Sequence, residues 1–275
     1  MRTLLVIVSI LTGSAVLVFA YHDAKKATVK PAHAPNGFER GAELYRQNCA
    51  ICHGVEGRGD GPAAGVLDPR PRNFELGKYR LGSTTGLFPS RQDILNTIRD
   101  GIPGTGMPSW RHLPPADQEC MADYCLEVTR RGLKAALIRD EKAESEEEAE
   151  EISHDLVTAP PDLQIPPEPP CDQASLATGR AIFAKNCASC HDADGRGRPD
   201  PSWRTAEGYP IASRDLRRGV FKGGRGARAL YARIYRGIPG TPMPGSPSMT
   251  GDETWAVVHY VQSIVNSDLP QQAGR

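Results

Sequence analysis

Cys49-Ala-Ile-Cys52-His53 places two thiols and an imidazole within one helical turn, and Cys187-Ala-Ser-Cys190-His191 repeats the arrangement. At C-x-x-C-H spacing, each thiol can bond one vinyl group of a haem while the next residue's imidazole comes up beneath the iron. A thioredoxin-type redox pair belongs beside a βαβ pattern, and none is evident. A zinc site needs four converging ligands, but the second pair stands far away in its own repeat. The motifs therefore predict two covalently bound haem c groups.

A haem iron either takes a sixth ligand or keeps that position open for chemistry. Met107 lies in "GIPGTGMP" at 101–108, and Met243 holds the same place in "GIPGTPMP" at 237–244. Methionine ordinarily fills gaps in cores, and a Gly/Pro-rich turn makes a poor core. A distal thioether raises the reduction potential and closes the iron to substrates. The expected axial pairs are His53 with Met107 and His191 with Met243.

The elements that must position these ligands come in two copies. "GAELYRQNCAICHG" at 41–54 matches "GRAIFAKNCASCHD" at 179–192, and "LNTIRDGIPGTGMP" at 95–108 matches "YARIYRGIPGTPMP" at 231–244. Each copy reads as a short helix, a long Gly/Pro-rich loop, a second short helix, the Met loop and a C-terminal helix. Asp117 and Asp252 precede the last apolar-periodic stretches and are expected to open those helices. No alternating strand pattern stands out, so the fold class is all-α.

These residues resemble, quite specifically, the class I c-type cytochromes, here as a tandem di-haem chain. Gly41 and Gly179, Leu44-Tyr45 and Ile182-Phe183, both C-x-x-C-H motifs, both Met loops, and Trp255 with Tyr260 carry the resemblance, which covers about 37–131 and 172–269. It implies terminal helices that cross beside each haem, and one-electron transfer. It also implies a loop proline carbonyl accepting the proximal histidine's Nδ1 proton, Pro62 in the first copy and Pro199 or Pro201 in the second. Cys120 and Cys125 depart from the pattern, standing where bulky apolar or aromatic residues are usual.

Charge is unevenly spread. Residues 132–171 carry 3 basic against 11 acidic side chains, while 172–269 carry 13 against 9. "RDEKAESEEEAEE" at 139–151 and "APPDLQIPPEPP" at 159–170 read as an acidic, then extended Pro-rich, linker. It is expected to be a solvated spacer, with an acidic docking tail as the alternative. The basic run from Arg214 to Arg236 is either a solvated face, with an arginine or two pairing to haem propionates, or a docking patch for an acidic redox partner or this linker.

At the N-terminus, Arg2 precedes an apolar run from Leu4 to Ala20, so residues 1–21 read as a signal peptide or an uncleaved membrane-anchoring helix. Either places the domains outside the cytoplasm, in a periplasm-like compartment. Redox proteins are the expected partners, including a membrane respiratory complex. Nucleic acid is not expected, nor is a nucleotide, because the Gly-rich 54–61 has no strand before it. Cys171 either bridges back to Cys120 or Cys125 or all three remain thiols. His22, His33, His112, His154 and His259 read as surface or packing residues, His112 being the one best placed to replace Met107. A di-haem peroxidase is the enzyme alternative, which two Met loops argue against; the fitting reading is an electron carrier or a cytochrome subunit of a larger oxidoreductase.

Overall fold

A computed structural model describes residues 36–265, apart from 78, 86–87 and 159–160, so the Leu4–Ala20 run lies outside the described residues. Among the described residues the chain is helical, and extended pairing is confined to isolated bridges between Thr84 and Asp162 and between Arg204 and Pro210. None of these helices is long and apolar enough to cross a membrane.

The first copy forms α1 (Asn36–Asn48), α2 (Ala50–His53), α3 (Arg91–Asp100) and α4 (Pro115–Arg139). After α5 (Glu146–Thr158), the second copy forms α6 (Gln173–Asn186), α7 (Ala188–His191), α8 (Ala227–Arg236) and α9 (Gly251–Ser263). Local chemistry starts these helices. Ser90 with Asp93 caps α3, and Thr250 with Glu253 caps α9, each as a reciprocal box. Neither predicted aspartate is the opening residue: α4 starts on Pro115, whose missing N–H costs nothing at that position, and Asp117 instead binds Arg40 at 2.8 Å.

Two glycines set the helix crossings that hold each domain. A Cβ at Gly41 would lie 2.2 Å from the Cys120 carbonyl oxygen, and one at Gly179 would lie 1.9 Å from that of Ala256. Backbones therefore meet directly where α1 crosses α4 and where α6 crosses α9. The crossing also fixes the register: Cys120 matches Ala256, and Tyr124, whose Cβ is near Gly41, matches Tyr260, whose Cβ is near Gly179. The aromatic of the first copy that matches Tyr260 is thus Tyr124, packed 5.1 Å from the Tyr45 ring as Tyr260 packs 5.2 Å from Phe183. Around these pairs lie two cores, one with Leu44, Ile94, Ile98 and Met121, the other with Leu230, Trp255, Val257 and Val258. Burying each such side chain contributes roughly 1.5–3 kcal/mol.

The linker is not a solvated spacer. α4 runs on to Arg139, and α5 folds back against it with Ala149, Ser153 and Val157 buried. Arg130 binds Glu127 and Glu150, and Lys134 lies 3.2 Å from Glu150. The acidic run thus pairs with Arg130 and Lys134 of the first domain. The proline segment that follows is a strap on both halves. Leu163 N–H donates to Ser83 O at 2.7 Å, Trp255 Nε1 donates to Pro166 O at 3.2 Å, and Glu168 lies 3.3 Å from His259 Nε2.

Candidate haem centres

Both C-x-x-C-H motifs sit at the end of a tight turn. Cys49 precedes α2 and its carbonyl accepts from His53 N–H at 2.8 Å; Cys187 does the same for His191 at 2.9 Å. This i→i+4 step brings each first cysteine and its histidine onto one face. After His53 the chain turns at Gly54 (φ 77°), whose place in the second copy is taken by Asp192 at φ 64°. Asp192 tolerates the left-handed region because its Oδ1 accepts from the next amide, Ala193, at 2.8 Å. The Gly-rich 54–61 then folds back on the motif: Gly59 N–H donates to His53 O and Gly61 N–H to Cys52 O. Its amides serve the turn and do not form a phosphate cradle.

The proximal histidine is held by a different carbonyl from the one expected. His53 Nδ1 bonds Arg72 O at 3.1 Å, while Pro62 is exposed on the turn beyond α2. In the second copy the backbone oxygen that favours the His191 proton is that of Arg214, although Nδ1 is buried without a full hydrogen bond. Pro199 and Pro201 are exposed, and the Pro201 carbonyl accepts from Arg204 at 2.6 Å. Burial lowers the pKa of both histidines, which favours the neutral imidazole that a metal takes as a ligand.

Burial pushes the Cys49 thiol up to about 12, with Cys52 adding to it, and Cys187 up to about 11. An apolar pocket that suppresses a thiolate suits a thioether, which has no proton to lose. Cys125, also fully buried and close enough to Cys49 to influence it, is held well above its usual range. All three extra cysteines are free thiols, with Cys171 exposed, so the bridge from Cys171 is absent.

The Met loops are duplicates down to single hydrogen bonds. Ile102 N–H donates to Met107 O at 3.1 Å and Ile238 N–H to Met243 O at 3.1 Å. Thr105 Oγ1 and Thr241 Oγ1 each accept from the methionine's own amide, at 3.1 and 3.3 Å. Gly101 (φ 67°) and Gly237 (φ 71°) must be glycine, since a Cβ would meet the backbone of Pro108 or Gly245. These bonds use the methionine backbone and leave the sulfur uncommitted. His112 is exposed, 5.5 Å from the Trp110 ring, and His259 is committed to Ser175 Oγ at 2.7 Å.

Two thiols, an imidazole and a thioether in each copy make a donor set that fits haem c. A cavity of about 350 Å³ lies under the second Met loop, lined by Ala206, Arg236, Ile238, Thr241 and Met243. Buried polar atoms without partners, Arg72 Nε and Nη1, Arg80 Nε and Trp110 Nε1, add donors awaiting an anionic or polar group. When bound, a haem supplies a one-electron iron couple.

The fold and these paired centres are those of a di-haem c-type cytochrome. Comparison with known proteins agrees. Residues 36–124 match the family described as cytochrome C oxidase, cbb3-type, subunit III, and 176–264 match cytochrome c. Cytochrome c55X of Paracoccus denitrificans (strain Pd 1222) is 33% identical over 86 residues, which are 31% of this chain and 68% of that protein. The solved reducing HAO-like protein complex of Kuenenia stuttgartiensis contains a chain 29% identical, superposing with a TM-score of 0.70 over 83% of this chain and 96% of that one. The chain belongs to the c-type cytochromes, with two cytochrome c domains, two covalently bound haem c groups and a role in electron transfer.

A further repeat is hidden by its spacing. "RNFELGKYRLG" at 72–82 aligns with "RDLRRGVFKGG" at 214–224, matching Arg72 to Arg214, Gly77 to Gly219 and Arg80 to Lys222. Phe74 N–H donates to Gly57 O as Leu216 N–H donates to Gly195 O, and Gly77 and Gly219 share φ values of 61° and 63°. Insertions on both sides shift its spacing away from that of the cysteines and methionines.

Proposed function

We propose that the chain is an exported one-electron carrier whose irons are closed on both faces. In this reading Cys49 and Cys52 hold one haem with His53 and Met107 as axial ligands, and Cys187 and Cys190 hold the other with His191 and Met243. The observation that carries it is the duplicated Met loop, built with the same hydrogen bonds in both domains. A thioether on each iron favours reversible electron exchange and disfavours substrate binding. Domain limits near 37–131 and 172–269 belong to this reading, although α4 carries the first helix set on to Arg139.

We further propose that it works as the cytochrome subunit of a larger redox assembly outside the cytoplasm. Its similarity along most of its length to a chain of an HAO-like complex supports this, and the Arg2–Ala20 segment supports export, with tethering if that segment is retained. Tagged protein purified from its native cells, from membrane and soluble extracytoplasmic fractions, tests the assignment. It is expected to bring down a second haem protein that reduces it or is reduced by it. Recovery as an isolated chain that exchanges no electrons with any co-purified protein would reject the subunit role.

A further inference from the structure

The repeat at 72–82 and 214–224 does more than shape a loop. Arg72 presents its carbonyl to His53, and its side chain crosses to the other domain, where it binds Glu207 and lies 3.6 Å from the position a Cβ would take on Gly240. Arg214 presents its carbonyl toward His191, and its Nη2 crosses to Gly104 O at 3.4 Å. Gly104 and Gly240 are the same residue of the two Met loops, "GIPG" at 101–104 and 237–240. Each proximal-side arginine thus reaches the distal loop of the opposite centre, and the contact is reciprocal.

The next matched pair occupies the same seam. Arg80 and Lys222 are both half-buried, and both have pKa values lowered chiefly by burial, Arg80 to about 10 and Lys222 to about 8. The charges that Lys222 feels are those of Arg80, Arg214, Asp68 and Arg72, drawn from both domains. Asp68 and Glu207 are the carboxylates that oppose these four cations at Arg80 and Lys222. Arg72 Nε and Nη1 and Arg80 Nε are buried with no acceptor. Partly buried cations in excess of their counter-ions cost free energy unless anions join them. Beyond these two carboxylates, the haems of the two cytochrome c domains bring anions of their own, the propionate carboxylates.

We infer that Arg72, Arg80, Arg214 and Lys222 form one anion site across the domain seam, shared by the propionates of both haems. Each centre then draws part of its counter-charge from the other domain, and the two potentials are set jointly. This rests on the two haem c groups and is independent of the subunit role, since its test uses the purified chain alone.

Spectroelectrochemical titration of the holoprotein, resolving its two transitions, tests it. Removing a cation beside a haem relieves the more positive oxidised iron more than the reduced one, so potentials fall. Lys222→Gln and Arg80→Gln, though in different domains, are each expected to lower both transitions, by about tenfold in the reduction equilibrium, ~59 mV for a one-electron couple. Lys222→Arg, which keeps the charge, is expected to stay near the unmutated values. Movement of one transition only, in each variant, overturns the sharing, and movement of neither overturns the anion site. If the glutamine variants yield no holoprotein, Arg80→Lys and Lys222→Arg serve with haem labelled by 13C at its propionates. Shifted carboxylate stretching bands support the site, and bands unchanged in both variants reject it.

Discussion

The two domains reach the same ligand geometry by different packing. In the first, α3 is tied to α4 by charge: Arg91 binds Asp123 at 2.5 Å and lies 3.7 Å from Glu119. In the second, the residue matching Glu119 is Trp255, fully buried and 4.8 Å from the Tyr231 ring of α8. The position of Asp123 is taken by His259, bonded to Ser175 and facing Glu168 of the strap. What is shared between the halves, the Gly crossing, the C-x-x-C-H turn and the Met loop, is what addresses the haem. What differs is how the last helix is held, which leaves room for α5 on one side and the proline strap on the other.

That contrast predicts unequal responses. The largest effect belongs to Trp255→Ala, expected to cost about 3–5 kcal/mol in denaturant unfolding, while Glu119→Ala, removing one partly exposed partner, is expected to cost under ~1 kcal/mol. Equal losses would mean that the aromatic contact does not hold the second domain. Gly41→Ala and Gly179→Ala come next, each about 1–3 kcal/mol by forcing the helices apart. Similar costs at both would confirm a common crossing; a silent Gly41→Ala would break the correspondence. Smaller again is Arg130→Ala, about 0.2–1 kcal/mol, with faster amide exchange in α5 and none of the change reaching α9. The smallest perturbation is chemical: an alkylating reagent at neutral pH should label exposed Cys171 first and the buried, high-pKa Cys125 last in the native holoprotein. Simultaneous labelling of both would show that the Cys125 pocket opens.

Much of the site was legible because ligands repeat as residue types. Cysteine, histidine and the Met loop keep their spacing, so the sequence alone predicts both centres and the all-α class. The proximal carbonyl was not legible, since any residue supplies one and only the fold shows that the chain returns at Arg72 and Arg214. The matched Arg72–Gly82 segment was hidden by insertions on either side. The hairpin of α4 and α5 was hidden by composition: eight glutamates and aspartates drew the eye, while Ala149, Ser153 and Val157, spaced by four, marked the buried face. Tyr124 is not legible as the counterpart of Tyr260 by sequence alone, because the glycine crossing at Gly41 and Gly179 sets the register.

The central claim, two haems each closed by a methionine, is tested most directly by absorption and electron paramagnetic resonance of the oxidised holoprotein beside Met107→Ala and Met243→Ala. The account predicts a wholly low-spin unmutated protein whose methionine–iron charge-transfer band falls by half in each variant. A high-spin haem already present in the unmutated protein, with turnover of peroxide, would contradict it.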